Sequence, residues 1–315
     1  MKAVVLEKPC LANDLKVSEV PKPKIKPGTV LVKIKAFGIN RSEIFTRQGF
    51  SPSVKLPRIM GIECVGVVED PGDSNFLKGD KVISMMGGLG RQFDGSYAEY
   101  TLIPKNQVYS IQTDLDFTTL AAIPEMYYTA YASLFNALQL KSGETLLIRG
   151  GTSSVGIASI QLAKALGVYT IATTRNKSKV ELLKQLGADE VIIDEGILNC
   201  SKKVDKIQEL IGTKTLKDSL KNVKQGRIVC MTGILGGEWE FNSFLPMEDI
   251  PSEVYLTSFD SEVIKQQVID NLLKFIGEHS IKPIISKVFR LNEISHAHEL
   301  MESNSSNGKI VVEVD

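Results

Sequence analysis

Apolar positions in the first third of the chain recur at every second residue. Over "GTVLVKIKAFG" (Gly28 to Gly38), Val30, Val32, Ile34 and Ala36 share one face and Lys33 and Lys35 the other, the period of a half-buried strand. The run "GIECVGVVED" is of the fully buried type and ends in the turn "PGDS". "KGDKVISM" and "GSYAEYTLIP" follow, each bounded by Gly or Pro. Short strands between such turns predict a compact β barrel or sandwich.

The pattern changes near Leu120. "PEMYYTAYASLFNAL" reads as helix, "ETLLIR" as strand, and Val155 to Leu166 as helix, with Val155, Ala158, Leu162 and Leu166 at helical spacing. "VYTIATT" is strand, "KSKVELLKQLG" is helix closed by Gly187, and "DEVIID" is strand. "VDKIQELIG" and "QGRIVCMTG" read as two more strands, with the helix "TLKDSLKNV" between them. Alternation at this pitch predicts a parallel, doubly wound sheet. The segment between Asp194 and Asp205 is short, so the helix usual there is expected to be cut down or lost. The tail carries a helix in "EVIKQQVIDNLLKFIGEH", then "IKPIISKVF", a helix around "HAHELME" and the strand "GKIVVEV". These strands have no parallel partner in sequence order and are assigned back to the first part.

At 315 residues, one large or two ordinary domains are expected. Lys plus Arg and Asp plus Glu number 37 each, which argues against a nucleic-acid or membrane-surface footprint. No run approaches the roughly 18 apolar residues of a membrane span, and "MKAVVLEKPC" lacks a signal-peptide core. Cys10, Cys64, Cys200 and Cys230 form no C-x-x-C pair, so a reduced, cytoplasmic protein with free thiols is expected.

Candidate chemistry begins at "GGTSSVG". From Gly151 it reads G-T-S-S-V-G, where a dinucleotide fingerprint reads G-x-G-x-x-G. Gly151 and Gly156 keep the outer roles, the tight turn and the close helix–strand contact. Ser153 replaces the glycine that admits a pyrophosphate, and its hydroxyl with that of Ser154 offers donors to phosphate. The loop follows a predicted strand and opens a predicted helix, so amides and the positive dipole end face a ligand. The alternative is a strand-to-helix turn without a ligand. At the end of the next strand, NAD-binding chains usually carry an acid for the ribose 2′-hydroxyl. Here "TTRNKSK" (Thr173 to Lys179) has three cations and no carboxylate. Arg175 and Lys179 would pair with a 2′-phosphate, which points to NADPH; the alternative is a solvated helix start.

Together these features resemble the medium-chain dehydrogenase/reductase superfamily, and within it the zinc-independent quinone oxidoreductase (zeta-crystallin-like) branch. The resemblance spans nearly the whole chain and rests on "GINRSEIFTRQG", "LPRIMGIECVGVV", "GDKVI", "GSYAEY", "YYTAYASL", "GGTSSVG", "LKQLGADEVI", "GRIVCMTG" and "AHELMESNSSNGKIVV". It implies an α/β protein with a GroES-like β-rich catalytic domain (1–121 with 266–315) and a Rossmann-type NADPH-binding domain (122–265). Zinc-dependent alcohol dehydrogenases of the superfamily have a cysteine ligand where this chain has Asn40 and a histidine where it has Ile62; only Glu63 survives. Residues 102–150 contain no Cys or His, and residues 85–98, where a structural zinc lobe would lie, contain no Cys. His296 and His298, two apart on a helix, cannot chelate together. No metal is expected.

The resemblance implies that Asn40 lies beside the nicotinamide, whereas an ordinary loop Asn caps its own turn. Glu43 and Phe45 stand where the branch usually has aspartate and tyrosine. Phe45 has no hydroxyl to give, so Tyr127, Tyr128 or solvent is left as the proton source. Thr129 matches a helix threonine near the nicotinamide. The cofactor loop comprises Gly151, Thr152, Ser153, Ser154, Val155 and Gly156, with Thr174, Arg175 and Lys179 at the second strand end and Gly233 in a loop under the cofactor. The family tyrosine near the adenine falls on Asp194. Arg47 reads as a structural charge. The implied activity is hydride transfer from NADPH to a quinone or α,β-unsaturated carbonyl, a small-molecule substrate, by a homodimer. Two alternatives are a crystallin-like or redox-sensing NADPH-binding protein without turnover, and an enoyl reductase on a carrier-tethered chain.

Overall fold

Before the glycine-rich loop the chain forms β1 (Lys2–Leu6), β2 (Val17–Glu19), β3 (Thr29–Gly38), β4 (Arg58–Ile59), β5 (Glu63–Asp70), β6 (Lys81–Met85), β7 (Tyr100–Pro104) and β8 (Tyr109–Ser110), with helices α1 (Arg41–Arg47), α2 (Phe117–Ala121) and α3 (Pro124–Tyr131). The loop joins β9 (Thr145–Arg149) to α4 (Ser154–Leu166). Then come β10 (Tyr169–Thr174), α5 (Val180–Leu186), β11 (Glu190–Ile193), β12 (Val204–Glu209), α6 (Thr213–Asn222), β13 (Val223–Met231), α7 (Pro246–Asp249) and β14 (Tyr255–Ser258). The tail adds α8 (Gln266–Glu278), β15 (Ile285–Arg290), α9 (Ile294–Glu302) and β16 (Lys309–Glu313). This is a computed structural model, and it describes residues 1–198, 200 and 202–315.

Two compact units emerge: Met1–Glu125 with Ser261–Leu273 and Pro283–Asp315, and Met126–Asp260 with Lys274–Lys282. In the first, a mixed sheet runs β15-β16-β3-β5-β6-β8, with β7 also paired to β3, and a smaller sheet runs β2-β1-β4. The alternation predicted for β3 holds: Val30, Val32, Ile34 and Ala36 are buried and Lys33 and Lys35 are half-exposed. Val30, Val32 and Ile34 join one core with Ala3, Cys64, Tyr97 and Val312. The tail strands pair here, β16 antiparallel to β3.

The second unit is a six-stranded, all-parallel sheet in the order β11-β10-β9-β12-β13-β14. Strand order reverses between β9 and β12, which is where open α/β sheets place ligands, outside the strands' carboxyl ends. Leu147, Ile207 and Val229 from three central strands are fully buried in its core. Gly167 and Gly187 end α4 and α5 at φ of 77° and 118°, a left-handed conformation that glycine adopts without a Cβ penalty. The helix expected from Pro124 continues as a π-helical stretch, Ala132–Ala137. Between Asp194 and Asp205 no helix forms among the described residues.

A buried arginine organises that shortened segment. Arg149, at the end of β9, donates through Nε and Nη2 to Asp194 at 2.8 and 3.0 Å, and through Nη2 to the Gly196 carbonyl at 2.9 Å. Its Nη1 reaches Asp218 at 2.7 Å, the Thr215 carbonyl at 3.0 Å and the Ser219 hydroxyl at 3.1 Å. One guanidinium thus ties β9, α6 and the turn after β11 together. Burial alone would raise the Asp194 carboxyl, but hydrogen bonds from Arg149 outweigh it and hold the group below the usual carboxylate range. Removing one partner of such a pair leaves buried charge uncompensated. Arg149→Met is therefore expected to destabilise the protein by about 3–5 kcal/mol in urea unfolding. A loss near zero would show that the network is replaceable by packing.

Candidate active site

Asn40 is the residue before α1, and its side chain does not cap its own turn. The amide is buried, and Nδ2 donates to Glu63 Oε1 at 2.9 Å. Its Oδ1 accepts from the Lys309 ammonium at 2.6 Å. Lys309 Nζ also pairs with Glu63 Oε1 at 2.5 Å, and both side chains are all but fully buried. The other Glu63 oxygen accepts from the Glu125 amide at 2.7 Å. Asn40 therefore keeps one amide N–H that no group among the described residues takes. Gly38 makes this possible: a Cβ there would collide with Lys309 Cε and Glu63 Oε1.

Glu43, in the first turn of α1, accepts from the Asn40 amide at 2.8 Å, the Ile62 amide at 2.8 Å and the Tyr97 hydroxyl at 2.9 Å. Tyr97 also bonds His298 Nε2 at 2.8 Å. The Nδ1 atom of His298 has no partner among the described residues. Burial, helped by Arg47, pushes His298 down to about 3, so the ring is neutral. Glu43 is a scaffold for the Asn40 turn, held away from solvent, and Arg47 is buried and paired with Glu302. Phe45 is half-buried beside them. Tyr127 gives its hydroxyl proton to Gln161 and is therefore committed.

A zinc ion, as held by the dehydrogenases this sequence resembles, is the metal to weigh against this donor set. It does not fit. The Lys309 ammonium already sits against both Asn40 and Glu63, and a dication there would meet a fixed positive charge. Among the described residues, no three His, Cys, Asp or Glu side chains group as ligands. All four cysteines are free.

The glycine-rich loop is built as its spacing predicts, with one difference at Ser153. Gly156 packs so tightly that a Cβ would strike the Gly150 carbonyl at 2.5 Å, and a Cβ on Gly151 would meet Ala172 at 2.9 Å. Ser153 is the N-cap of α4: its hydroxyl accepts from the Gly156 amide at 3.0 Å and donates to the Gly150 carbonyl at 2.9 Å. Its single proton is thus engaged inside the loop and is not offered to a phosphate. The donors left are the Ser154 hydroxyl and the first-turn amides that no helix satisfies internally, those of Ser154 and Val155. Thr152 lies in the turn between.

At the end of β10, Thr174 is buried, Arg175 is exposed and Lys179 is half-buried in the short turn before α5. Gly233, in the loop after β13, lies so close to Leu210 that a Cβ would meet its carbonyl at 2.6 Å. Thr129 is buried in α3. The structure thus brings Asn40 and Glu43 together in the first unit, and the loop, β10 and β13 ends together around the second sheet. Sequence reasoning missed Lys309, Tyr97, His298 and Arg149. The signal for Lys309 was a lysine opening an otherwise apolar strand, "KIVV", where an unpaired charge is not tolerated.

A GroES-like β unit joined to a parallel sheet of this strand order defines the medium-chain dehydrogenase/reductase class, whose members bind a nicotinamide dinucleotide. Residues 26–113 match the alcohol dehydrogenase GroES-like domain and residues 186–312 the zinc-binding dehydrogenase family. The quinone oxidoreductase of Rattus norvegicus is 31% identical over 308 residues, covering 94% of this chain and 92% of that one. The acryloyl-coenzyme A reductase of Sulfurisphaera tokodaii is 26% identical, covering 99% of each. The solved quinone oxidoreductase of Coxiella burnetii superposes with a TM-score of 0.86 at 27% identity, covering 100% of this chain and 99% of that one. The chain belongs to the quinone oxidoreductase branch of the medium-chain dehydrogenase/reductase superfamily.

The burial of Glu43 has a consequence in pH. Burial raises its carboxyl from 4.5 to about 7, against the Asn40 and Ile62 amides, which favour the anion. The folded state then holds a proton that the unfolded state has released. Stability from this group is full below the unfolded value and is lost as pH rises through about 7. Relative to Glu43→Gln, the wild-type protein should lose on the order of a few kcal/mol between about pH 4.5 and 8. Urea unfolding across that range measures it, and parallel curves for the two proteins would rule the shift out.

Proposed function

We propose that the chain is a zinc-independent reductase that uses NADPH to deliver hydride to a quinone or α,β-unsaturated carbonyl. One observation carries this reading: an uncharged amide donor, Asn40, with an ammonium behind it where zinc-dependent relatives have a metal ligand. Such a site stabilises negative charge growing on a substrate oxygen, which is what conjugate reduction requires. Bound NADPH supplies the hydride. Asn40 holds the acceptor oxygen through its remaining N–H. With Phe45 lacking a hydroxyl and Tyr127 bonded to Gln161, the proton comes from Tyr128 or solvent.

The dinucleotide is held by Gly151, Thr152, Ser154, Val155 and Gly156 at the start of α4, by Thr129 and by Gly233. Ser153 contributes by capping the helix. Thr174 shapes the strand end. Arg175 and Lys179 take the 2′-phosphate, a role supported by the absence of any carboxylate in residues 173–179. A reading on thioester-linked enones is favoured by the acryloyl-coenzyme A reductase among the relatives. No helix among the described residues is long and apolar enough to cross a membrane, consistent with a cytoplasmic enzyme. Exposed Tyr255 on β14, at the sheet edge, supports a homodimer.

NADPH consumption against a panel of quinones, enones and acyl thioesters tests the activity. Turnover of the first two is expected, turnover of the thioesters alone selects the second reading, and none at all points to a binding protein. NADPH should be preferred over NADH by about 1–3 kcal/mol, and Arg175→Ala with Lys179→Ala should remove most of that preference. Equal affinity of the unaltered protein for both dinucleotides would refute the assignment. Asn40→Ala should lower kcat by about 10²–10³-fold while NADPH affinity changes less.

A further inference from the structure

An amide side chain can sit in a site two ways round, because its O and N ends have nearly the same shape. What selects one is the kind of partner at each end. The Lys309 ammonium has only donors, so it can hold only Oδ1 of Asn40. The Glu63 carboxylate has only acceptors when ionised, so it can hold only Nδ2. Both partners are buried, so water cannot stand in for either. Turned over, the same amide would present its carbonyl where its free N–H now points, and would repel a developing oxyanion.

We propose that Lys309 is a positioning residue for hydride transfer: anchored on Glu63, its ammonium fixes the Asn40 amide with one N–H directed at the substrate oxygen. This rests on the reading of Asn40 given above. The ammonium also balances the Glu63 charge, so that the growing negative charge does not face an uncompensated carboxylate. Chain geometry explains why the cation comes from the last strand. β16 lies beside β3, β3 lies beside β5, and Gly38 at the end of β3 leaves the gap through which Lys309 reaches Glu63.

The test compares kcat, the NADPH dissociation constant from cofactor fluorescence, and thermal melting for four variants. Lys309→Met should lower kcat on the order of 10- to 100-fold. That variant strands a buried carboxylate and can fail to fold, so Lys309→Met with Glu63→Gln removes both charges together. This neutral pair should melt within about 5 °C of wild type, bind NADPH comparably, and still turn over poorly. Adding Asn40→Ala to the neutral pair should cost nothing further, because Lys309 acts through Asn40. Wild-type turnover in the neutral pair, or losses that multiply when Asn40→Ala is added, would overturn the proposal and leave the ion pair purely structural. Unchanged turnover in Asn40→Ala alone overturns instead the reading beneath it, and Lys309's role with it.

Discussion

A buried carboxylate must have a buried cation, and in this protein that requirement joins the ends of the chain. Glu63 opens β5 and Lys309 opens β16, with β3 between them. Each charge alone would cost several kcal/mol to desolvate. Together, and with the Asn40 amide bridging them, the two charges offset each other and each end of the amide meets a partner of the right kind. The strand that closes the sheet therefore also completes the site. Gly38 is set by the same need, since any side chain there would occupy the path of the lysine.

The second unit meets a comparable constraint with different residues. Among the described residues no helix follows β11, so backbone groups there need other partners. Arg149 answers with six bonds from β9, and Asp218 of α6 adds one by accepting from the Leu198 amide at 3.0 Å. The arrangement fixes the C-terminal ends of β9 and β12 at the point where strand order reverses. Ser153 follows a similar logic. The serine that replaces a fingerprint glycine turns its hydroxyl inward, satisfying an amide and a carbonyl of its own loop. The first-turn amides of α4 are left as open donors.

Most of the fold was legible in the sequence because periodicity is a local signal. Alternation announced β3, and spacing of Val155, Ala158 and Leu162 announced α4. Gly167 and Gly187 sit where left-handed caps belong. The tail strands were assigned to the first part for want of a parallel partner; β16 pairs antiparallel with β3 there, but β15 does run parallel to β16. What could not be read was pairing between distant residues. Lys309 lies 269 residues from Asn40, and His298 lies 201 from Tyr97, so no window along the chain joins them. The role of Ser153 was likewise misread, because a hydroxyl's direction depends on the turn around it. The extent of α3 was hidden too: its apolar pattern does not distinguish an α-helix from the π-helical stretch that follows.

The two acidic residues of the first site illustrate how environment, more than residue type, divides labour. Glu63 meets an ammonium and two N–H donors, so its negative charge is matched where it stands. Glu43, three residues into the same turn as Asn40, meets two amides and a phenol but no cation within bonding distance among the described residues. Its burial therefore dominates, and its proton is retained towards neutrality. Were both ionised without Lys309, two buried carboxylates would repel each other beside the Asn40 turn. The ammonium removes that conflict at Glu63, and the neutral hydrogen-bonded chain through Tyr97 to His298 softens it at Glu43. Two acids can therefore lie buried near one turn without two uncompensated negative charges.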